Sequence, residues 1–284
     1  MGYLFLTISL LCGTTKGYCG KKTSNYTKDT GDAMLANFLR MVLCVIIGFG
    51  LIMVSGEAAQ MRLSPQILAI AALSGISTSV FVVSWLLVIK KGAYMMVDVF
   101  LMMGVLVPLV AGVIFLEETI RIKQWVGIAI LLAAVLLMCS YSSGMKGKLT
   151  PSTLGLLILS GAASGVSDFS QKLFVRAANG TPVSVFNFYT YVFSMIVLGG
   201  FFWIYSRKDN TKSFEERKQV FGRIFGYIVV MAVCLFANSY FKTRAAMYLD
   251  SVQLYPLSHG CALILSSAMS SICFGEKITR KSVL

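Results

Sequence analysis

Five ionisable side chains interrupt the apolar runs of this 284-residue sequence: Lys16, Arg40, Asp98, Asp168 and Lys172. An ionised group at the centre of a bilayer costs about 2.5–3.5 kcal/mol on insertion scales, so such residues face a bundle interior or a wet cavity. The chemistry open to them is recognition of a charged solute, or proton movement through Asp98, Asp168 or His259, the single histidine. Trp85, Asn187, Tyr189, Asn238, Tyr240 and Tyr255 add polar or aromatic groups that either line a cavity or join helix to helix. Each ion has two readings. Lys16 pairs with Asp168 beside a central cavity, or snorkels to the interface from the end of a short helix. Arg40 and Lys172 hold an anionic group, or anchor helix ends. Asp98 binds a cation, or caps free helix-end amides.

No other constellation carries chemistry. There is no GxSxG elbow, Walker loop or His/Asp/Glu cluster with metal-ligand spacing, so no metal, cofactor or enzymatic activity is expected. The seven cysteines lie in or at the ends of apolar runs without a CxxC pair and read as small apolar fillers.

These residues need helices long enough to carry them into a bilayer, and the composition supplies them. Hydrophobic residues make up 57% of the chain and charged ones 13%, with a mean hydropathy of +0.78. A soluble domain carries about 25% charge, so too little polar surface remains to face water all round. Apolar runs bounded by charges or turn residues predict nine spans: 3–20, 33–55, 65–89, 93–116, 124–141, 152–175, 183–205, 224–247 and 251–275. The first reads as a membrane helix rather than a leader, because no basic residue precedes it and Leu11 is large where a cleavage site wants a small side chain.

The chain repeats itself. Ala36-Asn37-Phe38-Leu39-Arg40 is similar to Phe186-Asn187-Phe188-Tyr189-Thr190, Gly13-Thr14-Thr15-Lys16 to Gly165-Val166-Ser167-Asp168, and Phe115-Leu116-Glu117-Glu118 to Phe274-Gly275-Glu276-Lys277. The expected architecture is therefore all-α and polytopic: two inverted five-helix repeats, one in residues 1–145 and one in 152–284, with the tenth helix missing. An odd-numbered unit used twice in tandem must sit upside down relative to its copy. Charge placement agrees. Of 25 Lys and Arg residues, sixteen fall in connectors after odd-numbered spans and six in those after even-numbered ones, with Lys242 and Arg244 counted among the six. The basic side is expected in the cytoplasm, which places the N-terminus outside. The net charge of +13 is thus an orientation signal, not a nucleic-acid one.

In these motifs the chain resembles the ten-helix EamA-type branch of the drug/metabolite transporter superfamily. Leu116-Glu117-Glu118-Thr119-Ile120 and Gly275-Glu276-Lys277-Ile278-Thr279 look like the family's Glu-bearing starts of a peripheral helix, where the Glu caps it. Lys172, Lys21 and Arg40 match basic positions in the first and second helices of a unit, and Pro108 and Pro256 match mid-helix prolines. That branch is usually drawn with both termini in the cytoplasm, against the charge count. The smaller four-helix relatives use a Glu in the first helix, whereas residues 1–20 contain no acid.

The resemblance implies a secondary transporter for a small metabolite or drug, working by alternating access between two bundles. The excess of intramembrane cations favours a zwitterionic, amino acid-like or anionic substrate. A flippase for a lipid-linked head group and a non-transporting scaffold stay open as alternatives. Expected partners are a small-molecule substrate and the bilayer of the cell membrane, without nucleic acid; a homodimer is compatible with the sequence. Gly161-Ala162-Ala163-Ser164-Gly165 has the GxxxG spacing of a close helix crossing.

Overall fold

A computed structural model of the chain describes residues 1–24, 26–27, 30–61, 64–90, 100–119, 121–122, 124–130, 133, 150–178, 180–208 and 214–274. In order these form α1 (Gly2–Ser24), α2 (Thr30–Val54), a 3-10 turn (Glu57–Met61), α3 (Pro65–Lys90), α4 (Leu106–Leu116), α5 (Pro151–Ala177), α6 (Val183–Lys208), α7 (Phe214–Ala246) and α8 (Ser251–Phe274). No strand occurs among the described residues. Among the described residues, five helices are both long and apolar enough to cross a membrane, namely α2, α3, α5, α6 and α7. Large apolar side chains such as Ile46, Ile76, Ile114, Phe115, Ile196, Val233 and Ile264 point outward, as a protein solvated by lipid requires. The chain is an all-α polytopic membrane protein.

Helix ends follow local chemistry. Thr150 caps α5, its Oγ1 accepting from the Thr153 amide at 3.3 Å, with Pro151 at the first helical position. A turn follows α5: Gly180 takes φ +85°, and the Thr181 amide donates to the Ala178 carbonyl. One boundary differs. The stretch 206–223 reads as polar connector, yet α7 begins at Phe214. The fourth span is helical from Phe100 to Leu116 with a break at Val105. Pro108 has no N–H to give the Gly104 carbonyl, and that carbonyl lies against Gly165 of α5. The fifth span is described as helix over 124–130.

The principal neighbours form a regular pattern. α1 packs on α7 and α3 on α5; α2 lies along α6; α2 meets α7, α3 meets α6, α4 meets α5, and α1 meets α8. Exchanging α1–α4 with α5–α8 leaves this pattern unchanged. Gly161 and Gly165 let α5 approach the 100–104 segment backbone to backbone, so the GxxxG spacing serves the close crossing expected of it. Phe174 and Phe186 stack at 4.1 Å between α5 and α6.

Candidate functional site

Five helices turn a polar stripe toward one place. On α5, Ser164, Ser167, Asp168 and Gln171 recur at i, i+3, i+4 and i+7; on α7, Leu235, Asn238, Ser239 and Lys242 do the same. That spacing puts each set on one helix face. Together with Gly13, Thr14, Lys16 and Gly17 of α1, Ser74 and Thr78 of α3, and Ser258, His259 and Ser266 of α8, they line a cavity of about 310 Å³. About ten waters would fill it. Tyr191 of α6 adds to the wall.

Asp168 is its electrostatic centre. Lys242 Nζ donates to Oδ1 at 2.6 Å, and His259 Nε2 lies 2.8 Å from Oδ2. The Lys242 and Asp168 side chains are 12% and 7% exposed. Tyr255 donates its hydroxyl to the Asp168 carbonyl at 2.6 Å, and its ring lies 5.5 Å from Lys242 Nζ. One carboxylate thus joins α5 to α7 and α8. Charged hydrogen bonds of this kind outweigh neutral ones, but they also leave Asp168 with both oxygens engaged.

Several sequence expectations meet here, and some move. Asp168, Asn238 and His259 line the cavity. Lys16 lines it too but does not pair with Asp168, whose oxygens are held by Lys242 and His259. Lys16 instead stands within electrostatic reach of Arg40 and Lys242, two like charges. Asn238 is tied to α1, donating to the Ser9 carbonyl at 2.7 Å. Asn187 is fully buried behind the wall, where its Oδ1 accepts from the Ser239 hydroxyl at 2.8 Å. Tyr189 faces away from the cavity and donates to the Met61 carbonyl. Arg40 and Trp85 line a separate cavity. Asp98 lies outside the described residues.

Lys172 is a helix clamp. Its Nζ donates to the Ala246 and Leu249 carbonyls at 3.1 and 2.6 Å, at the C-terminal end of α7, and lies 3.3 Å from Glu118. Those acceptors use the ammonium that the sequence reading offers to a substrate. Glu118 Oε2 in turn accepts from the Ser251 amide at 3.0 Å, capping α8. Capping is therefore real, and among the described residues the carboxylate that does it is Glu118; Glu117 sits at the C-terminal end of α4 with φ 55°. The carboxylate next to it caps a helix distant in sequence.

Lys242 is the residue the sequence reading misses. It lies four residues before the end of α7, so a count of connector charges absorbs it. The signal available was the stripe Asn238, Ser239 and Lys242 at helical spacing.

Residues 1–140 match the EamA-like transporter family. Its members are membrane transporters rather than enzymes. The EamA-like half contributes Lys16 and Arg40; Asp168, Lys242 and His259 come from the other half. A solved crystal structure of a protein superposes with a TM-score of 0.74 at 12% identity, covering 99% of this chain and 91% of that one. At that identity the likeness shows the fold alone. No curated protein matches the sequence.

Proposed function

We propose that the protein is a secondary transporter that moves a small zwitterionic or anionic metabolite across the cell membrane by alternating access. The carrying observation is the cavity of about 310 Å³ with Lys16, Lys242, His259 and Asp168 on its walls, drawn from helices of both halves. Three potentially cationic groups face one carboxylate there, so a substrate carboxylate supplies the missing charge at Lys16, while a substrate ammonium has Asp168 to approach. The symmetric pattern of neighbours supports two inverted repeats, 1–145 and 152–284, whose bundles exchange roles around this site. Asp168 bridges α5, α7 and α8, and an anion at Lys242 competes with that bridge. Substrate binding then weakens one inter-helix contact and favours the alternative arrangement, because a ligand shifts an equilibrium by its differential affinity for the two states.

The test is a metabolite profile, inside and outside, of cells making the parent protein or Lys242→Met. We expect one amino acid-like or anionic solute to be redistributed by the parent and at least tenfold less by the variant. Redistribution of a lipid-linked head group would overturn the solute reading. Equal flux through both proteins would remove Lys242 from the site.

A further inference from the structure

The central cavity leaves the buried charge of Arg40 unexplained. Arg40 lies in α2, 9% exposed, and its Nε has no hydrogen-bond partner. No ion pair joins it to a carboxylate among the described residues. Burying an ion without a partner costs several kcal/mol. Helix packing does not demand this cation. In the sequence repeat Asn37 corresponds to Asn187 and Arg40 to Thr190, and the copy is buried in its place without any charge.

Arg40 lines a second cavity of about 240 Å³, which shares no lining residue with the central one. Asn37 and Thr23 add polar groups to its wall, while Trp85, Leu86 and Met231 supply an apolar face. The wall therefore offers one cation, neighbouring polar atoms and a flat aromatic surface. The cavity sits where the end of α1, the start of α2 and the end of α3 meet. Lys21 and Lys22 lie in the last turn of α1 and Lys90 ends α3, with Lys28 and Lys91 close by in the sequence, and a surface of that sign raises the local concentration of anions. Lys16 lines the central cavity and lies within electrostatic reach of both Arg40 and Lys242.

We propose that the Arg40 cavity is a separate binding site for a small carboxylate carrying an apolar or aromatic group, an antechamber to the central cavity on the lysine-rich side of the molecule. The carboxylate pairs with the guanidinium, which presents donors in a fixed fork suited to it, and the apolar group lies against Trp85. Because Arg40 has Thr190 as its counterpart, the opposite side holds no matching cation, and the site exists on one side only. This goes beyond the transport reading: binding at Arg40 stands or falls without any flux.

Trp85 makes the test local. The other tryptophans, Trp125 and Trp203, are more than half exposed, so Trp125→Phe/Trp203→Phe leaves Trp85 as the single emitter. In this protein, in phosphatidylcholine nanodiscs at neutral pH, benzoate should change Trp85 emission saturably. Benzamide and benzylamine, of similar shape but neutral and cationic, should bind at least tenfold more weakly. Arg40→Gln should weaken benzoate at least tenfold, Arg40→Lys should retain much of the response, and Lys242→Met should leave it in place whether or not transport survives. A response equal for benzoate and benzamide overturns the proposal, and this comparison needs no variant to fold. So does folded Arg40→Gln that binds benzoate like the parent. Loss of the benzoate response in Lys242→Met would assign it to the central cavity instead. If phosphatidylglycerol nanodiscs alone shift Trp85 emission and abolish the benzoate response, the occupant is a lipid phosphate and the solute site is overturned.

Discussion

At Asp168 one carboxylate answers two basic side chains from different helices, and the balance among the three decides how the site behaves. Removing the carboxylate leaves Lys242 buried beside an aromatic ring without its counter-ion, a change that costs about 3–5 kcal/mol when one member of a buried pair is lost. Asp168→Asn should therefore lower the unfolding temperature in detergent markedly. Asp168→Asn/Lys242→Met should recover part of that loss, because the orphaned charge goes too. Additive losses in thermal unfolding of the two single variants and the double one would mean that the ion pair is not what holds α5 to α7. Lys16 belongs to a different class. It has like charges near it, so its charge gains most from an incoming anion.

The elements are positioned by glycines and by one proline. A Cβ at Gly161 would run into the Phe100 carbonyl, and one at Gly165 into the Gly104 carbonyl, both fixed backbone atoms. Gly161→Ala should therefore cost about 1–3 kcal/mol through overpacking, seen as a lower melting temperature. Gly155→Ala on the same helix meets open space and should be neutral or slightly stabilising, since alanine is the better helix former. Equal effects of the two substitutions would refute the close crossing as the cause. The GxxxG spacing was readable in advance because it depends on small residues one turn apart. The partner of that face was not, since the 100–104 segment is brought to it by the fold. Glu118 makes the same point: a carboxylate near a helix start was expected to cap, but sequence distance hid that the helix in question is α8, beginning 133 residues later.

For the whole molecule, the excess of Lys and Arg in the odd connectors sets the expected orientation. Moving Lys242 from connector to cavity wall strengthens that bias, because it removes one cation from the poorer side. Tyr26, exposed between α1 and α2, lies on the basic side. A single cysteine at Tyr26→Cys should react with a membrane-impermeant maleimide in inside-out vesicles and not in intact cells. Labelling from the cell exterior would reverse the orientation and place the Arg40 cavity on the outer face.

Membrane residence and helical class were written in the sequence itself, because bilayer thickness and lipid solvation impose long apolar runs that need no partner to be recognised. Buried charges were readable as exceptions to those runs. Which of them meet was decided only by the tertiary structure. Asp168 finds Lys242 and His259, Lys172 closes on the end of α7, and Arg40 occupies a cavity of its own. Such contacts join residues about 70 to 130 positions apart, and a helix stripe states which face is polar without stating which other face it will meet.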